Sequence, residues 1–547
     1  MDQGAMTPRR DAKWWGWGDP SVQPSLDPEA LGVLRERIGE LEPWPPARAL
    51  EEFELPAAEP LPQGVLDAVG ETDVFTGDED RLRHATGCGY ADLARLRNGS
   101  LPAAPDAVLM PQDAEALRRA IDACAAGGVA VVPFGGGTSV VGGVEPVRGA
   151  HGRLVSLDLG ALREVSVDRR SLTATLGAGL RGPEAEAALS AQGLTLGHFP
   201  QSFEYATVGG FAATRSAGQA SSGYGRFDSL VSSVRLLAPT GDISTLATPH
   251  TAAGPALREL VIGSEGVLGV IPDVTVRVRP APTVRRYEAW IAESFDAGAE
   301  IVRALAQGPG LPEIIRVSDE EETEGTLALN GPRGLSGRLF DGYLGMRKRR
   351  GGALMIVGYE GDEESVARRR ALTVRALRRG GAAYLGQAAG QAWAHSRYQG
   401  PYLRDTLMEM GAMVETLETS HTWSRFGELH EAVGTAIRNS LAAQGTPGLV
   451  FCHLSHAYAD GASLYFTFIS RARRGAELEQ WAEVKRAACE AIVAHGGTIT
   501  HHHAVGRDHA PYMEAEVGAT GLDILQAVKE ELDPMDIMNP GKLIPDA

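Results

Sequence analysis

Residues 133–143 read PFGGGTSVVGG. Three consecutive glycines, Gly135, Gly136 and Gly137, precede Thr138 and Ser139, and Gly142–Gly143 close the stretch. Glycine tolerates positive φ and lets the backbone approach a ligand without a Cβ in the way. Successive N–H groups in such a loop can converge on a diphosphate, and the two hydroxyls add donors. A mobile surface loop is the plain alternative, because Gly and Pro are first of all turn punctuation. The preceding run Val129–Val132 (VAVV) reads as a buried strand that delivers the loop rigidly, which favours anion binding. Two familiar phosphate loops are excluded. A P-loop needs Lys after its last glycine, and Gly142 is followed by Gly143; the dinucleotide fingerprint needs glycine at 140, which is Val140.

At 547 residues the chain has room for two or three domains. Its hydrophobic fraction of 43% and charged fraction of 22% are those of an ordinary soluble globular protein. A net charge of −18 argues against nucleic acid as a partner, because affinity for a phosphate backbone needs clustered Lys and Arg. Arg347-Lys348-Arg349-Arg350 is the local exception; it reads either as a solvated basic loop or as a contact for anionic lipid headgroups. Cys88, Cys124, Cys452 and Cys489 are far apart. Neither a disulfide framework nor a zinc site is expected, which fits a reducing cytosol. The opening MDQGAMTPRRDAKWWGWGDP lacks the apolar core of a signal peptide, and no run of about 18 apolar residues suits a membrane span. The ending Leu-Ile-Pro-Asp-Ala is not a peroxisomal address of the Ser-Lys-Leu type.

Residues 1 to about 100 form a polar, Pro-rich lead containing Trp14-Trp15-Gly16-Trp17-Gly18. A large side chain left exposed forgoes roughly 1.5–3 kcal/mol of burial, so this segment is expected to dock across another domain. A helix is expected over 31–41. From Val108 strands and helices alternate: strand 108–110, a helix capped by Asp113 and ended by Gly127–Gly128, strand 129–132, strands at 154–157 and 171–176, and a helix from Pro183 to Gly193. This predicts an α/β unit built around the glycine loop. The stretch 199–230 has the composition of a linker, but its interleaved Phe203, Tyr205, Phe211, Tyr224 and Phe227 point to a folded segment that lines a ligand. A hairpin at 234–243 and a strand at 274–278 follow, and Arg279-Pro280-Ala281-Pro282 marks a boundary. Beyond it, strands are expected at 286–291, 313–317, 354–358, 449–453 and 464–469. Helices are expected at 295–307, 363–379, 428–444 and 477–495, an order that suits an antiparallel sheet with helices on one face. A last helix is expected near 522–532.

Four stretches carry a resemblance. PFGGGTS (Pro133, Phe134, Gly135, Gly136, Gly137, Thr138, Ser139), QSFEYAT (Gln201, Ser202, Phe203, Glu204, Tyr205, Ala206, Thr207), TRSA (Thr214, Arg215, Ser216, Ala217) and EGVLGVI (Glu265, Gly266, Val267, Leu268, Gly269, Val270, Ile271) resemble the FAD-contacting segments of the vanillyl-alcohol-oxidase/PCMH flavoprotein superfamily. WGWGD at 15–19, RLRHATGCGYADLARLRNG at 81–99, PYLRDTLMEMGAMVETLETSHTW at 401–423, SHAYADGASLYFTF at 455–468 and THHHAVGRDH at 500–509 narrow it to the alkyldihydroxyacetonephosphate synthase branch, over nearly the whole chain.

That resemblance implies an α+β fold: a two-subdomain PCMH-type FAD-binding domain with an antiparallel-sheet α+β cap domain over the flavin ring. The implied division is an N-terminal docking segment with helices (1–100), the FAD domain (101–280), the cap and substrate domain (281–500) and a C-terminal segment (501–547) returning the histidines to the FAD domain. Members with covalent flavin often carry His in the glycine loop; Thr138 stands there, which implies non-covalent FAD. The implied reaction exchanges the acyl chain of acyl-dihydroxyacetone phosphate for a long-chain alcohol without net redox change. A base removes a C1 proton, flavin N5 forms an adduct, the fatty acid leaves and the alcohol attacks. The implied partners are these small lipid substrates, with a homodimer as the assembly. A cytoplasmic protein touching the inner face of the membrane is the expected location, with no metal.

The matched residues suit this chemistry. Arg404 offers a planar fork for a phosphate or carboxylate; pairing with Asp405 or Glu409 is its structural alternative. Arg316 matches a second activity-linked arginine, with Asp319 or Glu320 as alternative partners. Tyr458 matches the catalytic tyrosine; a free phenol has a pKa of about 10, so a neighbouring Arg or His⁺ is expected to lower it. His501, His502 and His503 match the triple histidine, as base, acid or phosphate ligand. On an extended strand only His501 and His503 would share a face. Gln201 departs from the usual Asp, and 219–228 from the usual basic-and-polar version. A 2-hydroxy-acid (D-lactate or glycolate) dehydrogenase or oxidase is the competing reading, since it shares the FAD loops and an Asn-Pro-Gly-Lys ending. A flavin-binding scaffold without catalysis is the third.

Overall fold

The apolar run before the glycine loop is a strand, Val129–Phe134, buried along nearly its whole length, as a parallel strand covered on both faces should be. The computed structural model describes residues 10–26, 28–99, 101–332 and 334–545; the first nine residues of the expected docking segment and the last two of the chain lie outside them. Val129–Phe134 runs parallel to Arg153–Asp158, which runs parallel to Ala107–Leu109, and Val74–Phe75 completes this sheet. The crossover is the helix Ala114–Gly127. Asp113 caps it, accepting from the Ala116 N–H at 2.7 Å, and its Leu117, Ile121 and Cys124 pack on Val129, Val131 and Val155.

A second sheet is antiparallel throughout, in the order Val165–Asp168, Thr173–Gly177, Asp273–Arg277, Val231–Ala238, Gly241–Ser244. It has its own core of Leu176, Phe211, Phe227, Val234 and Val274. Its edge strand Val165–Asp168 was not expected, because it is mostly exposed and carries no apolar signal. The C-terminus returns to the first sheet: Val131 donates to the Ile537 carbonyl at 2.7 Å and accepts from the Asn539 N–H at 2.8 Å.

The cap is a seven-stranded antiparallel sheet in the order Ala383–Gly386, Val284–Ala292, Ala353–Gly361, Ile314–Ser318, Leu449–Ala457, Gly461–Arg471, Ala412–Thr422. Side chains alternate along each strand, and the alternation divides core from cavity. Leu464, Phe466 and Phe468 pack into the main core with Val433 and Val484, whereas Tyr465, Thr467 and Ile469 line a large cavity. The helices Phe295–Ala306, Glu363–Arg379, Phe426–Ala443 and Glu477–Ala494 cover the core face. The expectation of helices on one face needs one correction: Trp393 of the helix Ala388–Ser396 packs on Ala289, Leu354 and Ile356 of the opposite face. The strand Ala412–Thr422 also escaped notice, since its sequence AMVETLETSHT sets two buried glutamates, Glu415 and Glu418, among its apolar residues.

The tryptophan-rich lead lies across both halves. Trp17 is buried, its ring 5.7 Å from that of Tyr205 in the FAD-like segment. Its backbone N–H donates to Asp405 at 2.5 Å in the helix Gly400–Glu409. Gly18 takes φ +67°, and a Cβ there would stand 2.2 Å from the Tyr402 hydroxyl, so only glycine fits. Trp17→Ala is expected to cost about 3–5 kcal/mol, measured as a lowered urea midpoint. A loss below about 0.5 kcal/mol, the range of ordinary surface substitutions, would mean that the segment is not anchored.

Candidate active site

One cavity of about 530 Å³ lies between the FAD-like domain and the cap. Pro133–Ser139, Gln201, Ser202, Ala206, Thr207, Thr214, Ser216, Ala217, Glu265, Gly266, Gly269, Val270 and Ile271 all line it. The glycines are needed where the loop packs on its neighbour: a Cβ on Gly135 would stand 2.3 Å from Thr207 Oγ1, and one on Gly136 2.1 Å from the Tyr205 carbonyl. The N–H groups of Gly136, Gly137 and Thr138 find no protein acceptor among the described residues. Loop N–H groups left open beside an elongated cavity fit the diphosphate of a dinucleotide.

Six expected contacts are not brought to this wall. Phe203 stacks on Tyr398 and meets Phe199 edge-on. Val267 and Leu268 point away into two different apolar clusters. Arg215 is turned to Glu259 and Asp228. Glu204 does not line the cavity either; one of its carboxylate oxygens is buried without a hydrogen-bond partner. Tyr205 lines a small neighbouring cavity of about 100 Å³, with Trp17 and Arg181.

The cap side supplies the charges. Arg404 lines the cavity and donates to the Cys88 carbonyl at 2.5 Å and to Asp405 at 3.2 Å. Arg316 also lines it, paired with Glu322 rather than with Asp319 or Glu320. Burial would push Glu322 up, but the Arg316 charge and His453 outweigh it and hold its carboxyl at about 2. His453 itself lines the cavity and lies 3.3 Å from Glu322.

The histidines depart from the expected strand. Residues 501–503 form bends gathered by one buried carboxylate: Glu418 accepts from the N–H groups of His501 (2.6 Å), His502 (2.9 Å) and His503 (2.7 Å) and from the Thr500 hydroxyl (2.8 Å). His501 and His502, not His501 and His503, therefore come together, Nδ1 to Nδ1 at 3.0 Å. His456 joins them at a β-bulge with φ +50°, and one nitrogen of each of the three lies within 4.8 Å of the others. Ser221 engages His456 Nδ1 at 2.6 Å, and the group reads as a hydrogen-bonded cluster. His502 and His503 line the main cavity.

Tyr458 does not. Its hydroxyl meets His501 Nε2 at 2.8 Å, and both residues line a second cavity of about 570 Å³ with Arg226, Thr498 and Glu516. The expected lowering of the phenol pKa is overturned: burial raises it, and Arg226 only partly offsets this. No imidazolium helps, because burial holds His501, His502 and His503 below the ordinary histidine value.

Sequence reasoning missed Glu418, His453, His456 and Arg226. A lone Glu within an alternating apolar run was the only visible signal for Glu418. It also missed an apolar part of the same cavity, lined by Leu26, Leu34, Leu407, Val414, Leu449, Phe451 and Ile469, which form one cluster.

Fold and cavity define a PCMH-type flavoprotein. The FAD binding domain family matches residues 105–247, and the family of FAD linked oxidases, C-terminal domain, matches residues 281–543. The chain is 31% identical over 579 residues to the alkyldihydroxyacetonephosphate synthase of Trypanosoma brucei brucei, across 100% of this chain and 94% of that one. A solved alkyldihydroxyacetonephosphate synthase superposes with a TM-score of 0.85 at 28% identity, over 98% of this chain and 99% of that one. Glycolate oxidase subunit GlcD of Bacillus subtilis (strain 168) is 26% identical over 444 residues, 80% of this chain and 89% of its own. The chain belongs to the alkyldihydroxyacetonephosphate synthase family and is an FAD-linked enzyme.

The neutral histidines set a pH dependence. His503 is pushed down to about 3 by burial, and His501 and His502 are lowered in the same direction. The unfolded chain therefore takes up protons first as pH falls. The stability these groups contribute is whole above about pH 6.5 and is lost progressively toward about pH 3. The urea midpoint is expected to fall between about pH 7.5 and pH 5, less steeply in His503→Gln; a midpoint that stays level or rises would refute this.

Proposed function

We propose that the enzyme exchanges the acyl chain of acyl-dihydroxyacetone phosphate for a long-chain alcohol without net redox change, with FAD bound non-covalently. The observation that carries this reading is the single cavity lined both by the FAD segments and by a cluster of apolar side chains, with two arginines and three histidines on its wall. A 2-hydroxy acid would not use such an apolar extension, whereas an alkyl chain buries there at about 0.8 kcal/mol per methylene.

Pro133–Ser139 hold the diphosphate, and Gln201–Ser202, Thr207 and Ser216–Ala217 line the cavity with it. Thr138 stands where a covalent tether would need histidine. Bound there, the flavin supplies the covalent chemistry of the exchange. Arg404 and Arg316 keep fixed cationic forks in a partly dry site, where they hold the substrate phosphate or the leaving carboxylate. Asp405 and Glu322 orient these forks. His502, on the cavity wall with Nδ1 3.5 Å from the Glu418 carboxylate, is the candidate base for a proton at carbon, whereas His503, pushed down to about 3 by burial, serves as a hydrogen-bonding group. The apolar side chains exclude water from the acyl junction, which favours the alcohol over hydrolysis.

The test is incubation of the holoenzyme with acyl-dihydroxyacetone phosphate and a labelled long-chain alcohol, without an electron acceptor. Alkyl product is expected. Arg404→Ala should lower kcat/KM roughly 10- to 100-fold, as loss of a charged hydrogen bond worth about 1.5–3 kcal/mol predicts. Acid precipitation should release FAD into the supernatant. Flavin bleaching by D-lactate with no alkyl product would overturn the reading.

Contact with a membrane surface belongs to the same proposal. Helix Gly334–Met346 exposes Leu335 (75%), Leu339 (69%) and Met346 (74%) immediately before Arg347–Arg350, an apolar face next to positive charge. The neighbouring Leu329 lines the cavity. No described helix is long and apolar enough to cross a bilayer. Leu335→Asp with Leu339→Asp should abolish sedimentation with anionic vesicles and leave turnover of detergent-dispersed substrate intact; undiminished sedimentation would refute the contact.

A further inference from the structure

The cavity face of the cap sheet grades from apolar to polar along its strands, and His453 stands at the polar end. Leu449, Phe451 and His453 alternate on the strand Leu449–Ala457 and all line the main cavity. The neighbouring strand sets Ile469, Thr467 and Tyr465 directly beside them, in that order. Alternate residues of a strand are about 6.8 Å apart and share one face. An alkyl chain laid over Leu449 and Phe451 therefore brings its head group to the His453 imidazole.

That imidazole is held as a base should be. Its Nδ1 lies 3.3 Å from Glu322 Oε2, a buried oxygen with no other partner, while Glu322 Oε1 takes the Arg316 guanidinium. Glu322 sits in the first turn of the helix Glu320–Asn330. The cap residue Asp319 accepts from its N–H at 2.7 Å and from the Cys452 N–H at 2.9 Å, which ties the start of the helix to the residue next to His453. The ring also stacks on Tyr465, centroids 4.8 Å apart at 20°. A carboxylate beside Nδ1 keeps the ring proton there. Nε2 has no hydrogen-bond partner among the described residues, so its lone pair is left for a ligand. Burial, with the Arg316 charge, holds the imidazole below the ordinary histidine value and therefore neutral, while Glu322 stays ionised.

We propose that His453, positioned by Glu322, is the general base that takes the hydroxyl proton of the incoming long-chain alcohol. The inference rests on the exchange reaction proposed above and concerns its second half, after the fatty acid has left as a carboxylate with the electron pair of its bond to C1. A hydroxyl is a weak nucleophile until a base within hydrogen-bond reach draws off its proton. The alcohol O–H donates to His453 Nε2. A lone pair of the alcohol oxygen forms the new bond to C1, the O–H bond breaks with its pair staying on that oxygen, and Nε2 takes the proton. The Glu322 charge steadies the imidazolium, which then passes the proton to water. The products are the alkyl ether, one carboxylate and one proton, and nothing is oxidised. His453 touches the alcohol and is catalytic; Glu322 acts through it and is a positioning residue.

The test follows both halves in a single turnover of the FAD-loaded full chain, with acyl-dihydroxyacetone phosphate labelled in its acyl chain and a separately labelled hexadecanol. His453→Asn lacks Nε2 but keeps an amide toward Glu322. It is expected to retain FAD, release fatty acid within roughly threefold of the wild-type rate and form alkyl product roughly 100-fold more slowly, about 2.7 kcal/mol of barrier. With hexadecanethiol in place of the alcohol the loss should shrink below roughly tenfold, because a thiol ionises far more readily and needs the base less. Glu322→Gln should show the same split on a smaller scale, roughly tenfold with the alcohol and near the wild-type rate with the thiol; it decides the matter if His453→Asn fails to hold FAD. Alkyl product from His453→Asn at the wild-type rate, or equal slowing of fatty acid release and alkyl formation, would overturn the assignment while leaving the exchange reaction standing. So would a Glu322→Gln loss that is the same for alcohol and thiol. Wild-type protein that releases fatty acid but makes no alkyl product would remove both.

Discussion

The carboxylate of Glu418 organises the meeting of the two halves. A buried charge is costly unless it is fully hydrogen-bonded, and Glu418 is 1% exposed. Three successive backbone N–H groups and a threonine hydroxyl complete its shell. To present those donors to one acceptor, residues 500–503 must leave extended geometry. The same curl brings His501 and His502 into contact and turns His502 and His503 to the flavin cavity. One electrostatic requirement on the edge strand of the cap thus sets the layout of the reactive groups.

The cap sheet makes that requirement useful. Its strands carry a dry core on one face and the cavity on the other, so the identity of a residue at period 2 decides whether it stabilises or reacts. Ile315 and Val317 pack inside while Arg316 faces the cavity; Cys452 and Leu454 pack inside while His453 faces it. The bulge at His456 interrupts this alternation and adds a further imidazole beside the cluster, a common device near functional sites. The N-terminal tryptophan segment ties the loop domain to the cap, Trp17 packing on Tyr205 and donating to Asp405, and the C-terminal return pairs with the loop-domain sheet through Asn539 and Val131.

Much of the fold was legible, for stated reasons. The VAVV strand, the Asp113-capped helix and the long cap helices follow from apolar period and capping chemistry, and they appear within a few residues of where they were expected. Strands with polar or exposed faces, Val165–Asp168 and Ala412–Thr422, gave no such signal. Within the FAD-like stretches, the motif located the segments and not the side-chain directions, so Phe203, Arg215, Val267 and Leu268 turned away from the cavity they were assigned to.

Local chemistry alone determined that a glycine loop on a buried strand should open its N–H groups to a diphosphate, because glycine geometry and apolar runs act over a few residues. Which charged side chains share a cavity was decided only in three dimensions. Arg316 pairs with Glu322, Tyr458 turns to a second cavity, and the histidines answer to a glutamate more than 80 positions away. The physical reason is range: conformational preference is local, whereas desolvation forces buried charges to find partners wherever the fold brings them.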